Sequence, residues 1–426
     1  MIKIINYTDL TPSHLRPQSA TSEDVSATVA DIIADVRRRG DDALFDYTRR
    51  FDGADLTALE VARGAWDAAV ADVEPDFLRV LERAAQSIES FHRNQIRSGF
   101  VAHGADGTVM GQKILPIERV AVYIPGGTAP LASSVLMSAV PAKLAGVSEI
   151  IMATPPSKDG LPSKYILAAA KIAGVDRVFS VGGAHIVAAL AYGTETVPRV
   201  DKIVGPGNAY VAEAKRQVYG VVGIDMIAGP SDVCVIADGA ADAVIVAADM
   251  LAQAEHDANA RAVLITTSEA LATAVAAEIE TQLAALPRRD IAAKSIENNG
   301  LIIVADTIAR AVEISNDIAP EHLELCVDDA FDYLGAVRNA GSVFLGRHTP
   351  EAVGDYLAGP NHTLPTLGTA RFASPLSVDD FVKKTQFTYF SRDALADIGG
   401  DVVSFAEHES LRAHGLSVSK RLEVRD

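Results

Sequence analysis

Two side chains that could bind a metal ion stand three residues apart in the segment GPSDVCVIADGAADAVIVAADMLAQAEHD, residues 229–257. The pattern predicts an apolar strand at residues 233–237 and then a long apolar helix, with Gln253 and His256 near the end of that helix. Residues three apart on a helix are neighbours on one face. An amide oxygen beside an imidazole nitrogen supplies two metal ligands. Taken alone, such a pair is more often a solvated helix end.

Three further segments strengthen the metal interpretation. They are APEHLEL (residues 319–325), GDYLAGPNHTLPT (354–366) and EHESLRAHGLSV (407–418). Together with AGPSDV and LAQAEHD, and in this order, they closely resemble the histidinol dehydrogenases, metal-dependent enzymes that use NAD and complete histidine biosynthesis. The resemblance extends from about residue 25 to about residue 419. Several motifs in one order are far more specific than any single motif.

The resemblance implies a metal site formed by Gln253, His256, Asp355 and His414. The metal of the family is zinc, so we expect one Zn²⁺ per subunit, although two imidazoles with two oxygens also suit cobalt or manganese. We expect the metal to hold the amine and imidazole nitrogens of the substrate and to orient its alcohol carbon towards NAD. Without the neighbouring motif, Asp355 would be interpreted as a turn residue.

The adjacent residues Glu321 and His322 are the predicted acid–base pair. Pro320 disfavours helical geometry at Ala319, so we expect an extended Ala319, the end of the preceding helix, and both side chains on a loop edge. An imidazole with a pKa near neutrality suits removal of the alcohol proton, and His322 matches the base of the family. Glu321 matches the residue that activates the water added to the aldehyde. An isolated Glu-His dipeptide has almost no specificity.

Further positions match the substrate contacts of the family. The resemblance implies a substrate site made of Ser231, Gln253, His256, His322, Asp355, His362, Glu409 and His414. Glu409 could accept an N–H of a metal-bound imidazole, as residues that support metal ligands do. The alternative for Glu409 is a solvated position on a charged helix face.

The cofactor signal is weaker, because the sequence has no G-x-G-x-x-G motif and GPGNAY (residues 205–210) has only two glycines. The resemblance implies NAD contacts at Tyr123, Asn208 and a third position. That third position is usually glutamine in a GGAQ segment, whereas here it is His185 in GGAH. Histidine cannot reproduce both ends of an amide, so we expect NAD use with altered affinity. Asp232 also differs from the family, which more often has glutamate at this position. Asp232 neighbours Ser231 and matches no contact of the family itself, so we attach little weight to this difference.

Composition excludes several classes of function. A formal net charge of -18 over 426 residues would repel the phosphates of a nucleic acid. Cys234 and Cys326 both lie in apolar runs, which predicts buried thiols rather than a disulfide. No signal peptide and no run of 18 apolar residues is visible, so we expect a cytoplasmic protein without a membrane span.

Strands alternate with helices after residue 119, which predicts an α/β fold. We predict two parallel-sheet, incomplete Rossmann-like domains, one inserted into the other, with small terminal dimerisation segments. The predicted boundaries are an N-terminal arm (1–20), a discontinuous first domain (21–117 and 230–370), an inserted second domain (118–229) and a C-terminal arm (371–426). That arm, predicted as helices or irregular chain, resembles the exchanged segment of the homodimeric family. Earlier, helices are predicted at residues 21–39, up to about 51, and 75–96, with His92 on the surface.

Two other functions remain open at this stage. A related metal- and NAD-dependent dehydrogenase of another small polar alcohol should differ at Ser231, His362 or Glu409. A bilobal binding protein shares the two-lobed outline. Such a protein has no need for Glu321 beside His322, nor for metal ligands spread over three distant segments.

Overall fold

The structure, a computed structural model, describes residues 2–15, 25–126 and 130–424. The strands in these residues are β1 (Lys3–Asn6), β2 (Phe100–His103), β3 (Val109–Pro116), β4 (Arg119–Tyr123), β5 (Glu149–Ala153), β6 (Arg177–Phe179), β7 (Lys202–Val204), β8 (Gly223–Ile224), β9 (Asp232–Ala237), β10 (Arg261–Thr266), β11 (Leu301–Val304), β12 (His322–Cys326), β13 (Ser342–Leu345) and β14 (Val382–Tyr389). The α-helices are α1 (Pro12–Leu15), α2 (Ser26–Arg39), α3 (Asp41–Asp52), α4 (Arg63–Asp72), α5 (Pro75–His92), α6 (Ala132–Ala145), α7 (Lys164–Ala173), α8 (Gly183–Tyr192), α9 (Ala209–Val218), α10 (Ala243–Ala254), α11 (Glu269–Leu283), α12 (Arg289–Asn299), α13 (Ile308–Ile318), α14 (Ala330–Leu334), α15 (Glu351–Tyr356), α16 (Arg392–His408) and α17 (Arg412–Glu423).

Two compact units divide the chain, and the first contains residues 1–95 and 117–381. One of its two sheets has five parallel strands in the order β6-β5-β4-β7-β8. Successive side chains of a strand point to opposite faces. Val120 and Val122 therefore pack into one apolar cluster with α4–α7, while Ala121 and Tyr123 pack into another with α2, α3, α8 and α9. Helices on both faces explain the continuously apolar strands.

The other sheet has six parallel strands in the order β1-β11-β10-β9-β12-β13. Val233 and Val235 pack under α10–α12, and Cys234 and Ile236 pack on the opposite face, against α13. The strands β9 and β12 are neighbours, with His322 paired to Val233, so their amino ends meet at one edge of the sheet.

The predicted fold class of two parallel-sheet α/β halves is confirmed. The helices of residues 26–92 pack against the five-stranded sheet, whereas the predicted first domain grouped them with the six-stranded one. The predicted N-terminal arm contributes β1, which pairs with β11 at the edge of the six-stranded sheet. The domain boundaries themselves stay a prediction.

The second unit contains residues 96–116 and 382–426. Its sheet is antiparallel in the order β14-β3-β2. Residues 382–389 therefore form a strand, and the prediction of a helix or irregular arm there was wrong. Five of these eight residues, Val382, Thr385, Phe387, Thr388 and Tyr389, are β-branched or aromatic, the types enriched in strands. The helical part of the arm is confirmed by α16 and α17, which pack closely where Gly399 meets Leu422.

Three local predictions need correction or restriction. Residues 21–24 of the first predicted helix lie outside the described residues, and α2 buries Val29, Ile32, Ile33 and Val36 as expected. His92 is fully buried rather than exposed, because its position one turn after Ile88 continues the apolar stripe of α5. Ala319 is left-handed, with φ 54° and ψ 62°, rather than extended, although α13 does end at Ile318.

Both cysteines are buried and free, as predicted. Among the described residues, no helix combines the length and apolar character needed to cross a membrane.

Candidate active site

The end of helix α10 carries the first two predicted ligands. Gln253 lies in the last turn and is completely buried, whereas His256 lies in the turn just after the helix and is exposed. The two residues are still neighbours, because a terminal atom of the Gln253 amide lies 3.5 Å from Nδ1 of His256. The two residues are close together as predicted, but only Gln253 belongs to the helix, because α10 ends at Ala254.

Helix α15 brings a predicted ligand and an unpredicted carboxylate to the same place. Asp355 is partly buried, and Glu351, one helical turn before it, is 3% exposed. Single ligand atoms of His256, Glu351 and Asp355 all lie within 4.8 Å of one another. Gly354 permits this approach, since a side chain there would meet the ring of Phe344 at 2.5 Å. Glu351 was not among the residues expected from the sequence, although its spacing from Asp355 places both on one helix face.

Glu351 also determines which way the Gln253 amide points. In the orientation that gives hydrogen-bond partners to both ends of the Gln253 amide, its nitrogen donates to the two carboxylate oxygens of Glu351 at 3.0 and 2.9 Å. The amide oxygen then takes the position beside Nδ1 of His256. An amide binds a metal through oxygen, so this orientation suits the predicted role of Gln253. Burial raises the pKa of Glu351 well above its usual value, as does the charge of Asp355.

The predicted acid–base pair stands at the amino end of β12. His322 is the first residue of this strand and is buried, so it does not lie on the predicted loop edge. Glu321 does lie just before the strand, as predicted. Nδ1 of His322 lies 3.2 Å from the carbonyl oxygen of Asp232, which can only accept, and 3.2 Å from the amide nitrogen of Gln253. Both hydrogens of that amide are directed to the two oxygens of Glu351, so we assign the hydrogen to Nδ1, which leaves Nε2 unprotonated. Burial lowers the pKa of His322 to about 4, below the near-neutral pKa expected for this base, so the imidazole is neutral at pH 7.

Glu321 is buried beside this imidazole, with its Oε2 3.8 Å from Nδ1 of His322. The side chain of Ser231 lies close enough to the Glu321 carboxylate to lower its pKa, which brings another predicted substrate contact to the site. Burial raises the pKa of Glu321 well above its usual value, and the nearby charge of Asp232 adds to that effect.

The GPNH segment adds His362. Its Nδ1 donates to the carbonyl oxygen of Asp355 at 3.0 Å, and its Nε2 lies 3.2 Å from the hydroxyl of Ser134 on α6. The preceding Asn361 donates to the carbonyl oxygen of Met137 at 2.6 Å and lies 3.3 Å from Nε2 of the buried His92. These bonds attach the segment to α5 and α6. Burial lowers the pKa of His362.

Glu409 and His414 belong to the second unit. Glu409 caps the end of α16, and His414 lies in the first turn of α17; both are exposed. They line a cavity of about 350 Å³ together with Phe405 and Leu411. Their roles as substrate contact and metal ligand stay predictions.

The predicted NAD contacts lie at the carboxyl ends of the five-stranded sheet, where open α/β sheets bind ligands. Tyr123 ends β4, and its hydroxyl accepts the N–H of Gly183 at 3.2 Å. Asn208 caps α9 through its side-chain oxygen, which accepts from Tyr210 and Val211. Gly205, with φ 114°, lies so close to β4 that a Cβ would sit 2.1 Å from the Tyr123 carbonyl oxygen.

His185, the third predicted NAD contact, is 1% exposed in the first turn of α8. Its ring stands against Tyr47 and Phe51 of α3, with Nε2 3.5 Å from the hydroxyl of Thr48 and Nδ1 without a hydrogen-bond partner. Burial lowers the pKa of His185 to about 3. The role of this residue in NAD binding stays a prediction.

The two candidate regions therefore use opposite ends of their sheets. Predicted cofactor contacts follow the carboxyl ends of β4, β6 and β7, whereas Asp232 and His322 stand at the amino ends of β9 and β12. Residues at or after the carboxyl ends of apolar strands therefore indicate only the predicted cofactor region, because Asp232 and His322 begin their strands.

Residues 15–422 match the sequence model of a family described as "Histidinol dehydrogenase". Curated relatives with that name include one from Geobacter metallireducens, 53% identical over 95% of this chain and 93% of its own length. Another, from Streptococcus mutans, is 54% identical over 93% of each chain. The crystal structure of a histidinol dehydrogenase from Elizabethkingia anophelis is similar with a TM-score of 0.94 and 39% identity, covering 99% of this chain and 98% of that one.

Proposed function

This chain belongs to the histidinol dehydrogenase family, and from that premise we propose that it oxidises L-histidinol through L-histidinal to L-histidine with NAD. The observation that carries the proposal is the convergence of side chains from distant segments. His256, Glu351 and Asp355 gather their ligand atoms within 4.8 Å, and Gln253, which touches His256 and Glu351, connects them to the buried His322.

The metal that the family implies fits these residues. Two carboxylates, an imidazole and an amide oxygen converge there, and the buried Glu351 has Nδ1 of His322, an imidazole whose pKa is lowered by burial, 3.7 Å from its Oε1. We propose that Gln253, His256, Asp355 and His414 hold one Zn²⁺. Zinc would supply a template that orients the substrate through its amine and imidazole nitrogens. Ser231, His362 and Glu409 would complete the substrate site.

The acid–base roles follow from the protonation of the two residues. Nδ1–H of His322 donates to the Asp232 carbonyl, so Nε2 is free to take the hydroxyl proton of the alcohol. In the second half-reaction, Glu321 would take a proton from the water that adds to the aldehyde. Burial excludes bulk water from both side chains and strengthens the interactions that they make.

NAD also fits the described residues. Helix α8 has no side-chain cap hydrogen bond. The N–H of Gly183 donates to Tyr123, but the N–H groups that follow it in the first turn could bind a phosphate. The unpartnered Nδ1 of His185 lies close to Gly183, because a Cβ on that glycine would be 3.0 Å from it. We propose that Tyr123, His185 and Asn208 bind NAD, which would accept one hydride in each half-reaction.

A homodimer in the cytoplasm completes the proposal. The hairpin of α16 and α17 exposes Phe405 (70%), Leu411 (43%) and Leu416 (48%), an apolar surface of the kind that subunit interfaces cover. Light scattering should give about twice the mass of one 44.9 kDa chain. A monomer at micromolar concentration would contradict this part.

A substrate panel tests the choice of alcohol. Purified, zinc-loaded protein with NAD should oxidise L-histidinol and L-histidinal at least 100-fold more efficiently, by kcat/KM, than small alcohols that lack the imidazole or the amine. An alcohol outside this class that is oxidised more efficiently would instead support the related dehydrogenase.

A further inference from the structure

Asp232 and Glu321 are joined by two hydrogen bonds that run in opposite directions between β9 and β12. The backbone N–H of Asp232 donates to Oε2 of Glu321 at 3.1 Å, and the backbone N–H of Glu321 donates to Oδ1 of Asp232 at 3.2 Å. Each residue thereby binds the other through one main-chain and one side-chain group. Both side chains are at most 5% exposed, so solvent does not compete for these bonds.

The carbonyl oxygen of the same Asp232 accepts the Nδ1–H of His322. One residue at the start of β9 therefore contacts both members of the acid–base pair. The backbone N–H of Asp232 fixes the Glu321 carboxylate, and the Asp232 side chain fixes the Glu321 N–H just before β12. The bond to His322 fixes the imidazole tautomer. Strand pairing between His322 and Val233 holds the two segments in this register.

A buried cation supports this arrangement. Arg261, at the start of β10, is 8% exposed and donates to the carbonyl oxygens of His14 and Leu15. Burial raises the pKa of Asp232 to about 6, and the charge of Arg261 opposes that rise by favouring the ionised carboxylate. An ionised carboxylate is a stronger acceptor for the N–H of Glu321 than a neutral acid.

We propose that Asp232 is a positioning residue that aims the Glu321 carboxylate and selects the His322 tautomer, so that it governs the aldehyde half-reaction more than the alcohol half-reaction. The proposal rests on the function proposed above. The aldehyde step depends more on Asp232 because it uses Glu321, whose backbone N–H donates to the Asp232 side chain, whereas His322 is held by a main-chain carbonyl that survives substitution.

The test compares Asp232→Ala with Asp232→Asn. Alanine removes the acceptor for the Glu321 N–H, and asparagine retains an oxygen at that place. Asp232→Ala should lower kcat for L-histidinal about tenfold, lower kcat for L-histidinol less than threefold, and leave KM for L-histidinol within twofold. Asp232→Asn should restore the ratio of the two kcat values to within twofold of the wild type.

Asp176→Ala is the matched control. Asp176 also accepts a backbone N–H, that of Ile150 at 2.8 Å, but it does so in the five-stranded sheet. This variant should lose thermal stability without changing the ratio of the two kcat values. A purely structural role of Asp232 would give the same result, so an unchanged ratio in Asp232→Ala would overturn the proposal.

A second readout needs no catalysis. Hydrogen exchange of a peptide spanning residues 319–325 should be faster in Asp232→Ala than in Asp232→Asn or the wild type, because the Glu321 amide loses its acceptor. Equal exchange in all three proteins would also overturn the proposal. Wild-type protein that fails to oxidise L-histidinol would refute the proposed function, whereas the exchange result would still measure the bond.

Discussion

The side-chain nitrogen of Gln253 donates to both carboxylate oxygens of Glu351, which turns the amide oxygen towards His256. Glu351 thus supports the proposed metal site even if it never contacts the ion. Residues that orient metal ligands typically change metal affinity by 10- to 100-fold when they are replaced.

Glu351→Ala should accordingly weaken zinc binding by about 10- to 100-fold, because the Gln253 amide becomes free to rotate. Competition with a chromophoric chelator measures this affinity without any turnover. Glu297→Ala is a suitable control, since it removes an exposed carboxylate from α12. Equal zinc affinity of Glu351→Ala and the control would contradict the orienting role.

His256→Ala and His414→Ala should each remove the metal and the activity together. Both residues are exposed, so neither substitution leaves a cavity in an apolar core. Metal content per subunit, measured by atomic emission after gel filtration, gives the result directly. Full metal content in either variant would show that the proposed ligand set is wrong.

Glu321→Gln should slow the oxidation of L-histidinal more than that of L-histidinol, because glutamine cannot take the proton of the attacking water. We expect a loss of about 100-fold or more in the aldehyde half-reaction, within the usual range for removal of a general base. Single-turnover experiments started from each substrate separate the two steps. Equal slowing of both would refute the water-activating role.

His185→Gln should leave the affinity for NAD equal or better, since an amide offers both a donor and an acceptor. Isothermal titration with NAD measures this affinity. A severe loss of NAD binding would contradict the prediction.

The same substitution should change how stability depends on pH. The buried His185 has its pKa lowered to about 3, so the folded chain stays neutral there while the unfolded chain takes up a proton as the pH falls below about 6.5. The wild type therefore loses about 1.4 kcal/mol per pH unit from this group between those limits, and the loss disappears in the variant. Thermal unfolding at pH 7.5 and pH 5.5 should show a smaller decrease for His185→Gln.

Local sequence patterns predicted the fold class because strands buried on both faces, such as Val120 with Ala121, have a distinctive continuous apolar character. The same approach failed at His92, where a polar side chain is buried because the residues around it satisfy it: Ile88 accepts from one ring nitrogen, and Asn361 meets the other. A partner 269 positions away in the chain leaves no local signal.

Site residues that belong to recognisable sequence motifs could be predicted, whereas residues that reach the site only through tertiary packing could not. Gln253, His256, Asp355 and His362 were expected from their motifs, and the structure brings them together. Glu351 and Asp232 were missed or given little weight, because their importance arises from contacts between α15, β9 and β12. Only the tertiary arrangement creates those contacts.

The most direct test of the proposed function is the amount of NADH formed per L-histidinol with limiting substrate and excess NAD, before and after treatment with a chelator. We predict two NADH per histidinol, loss of this activity on chelation and its recovery with zinc. One NADH per histidinol, or none from folded and metal-loaded protein, would contradict the proposed two-step oxidation.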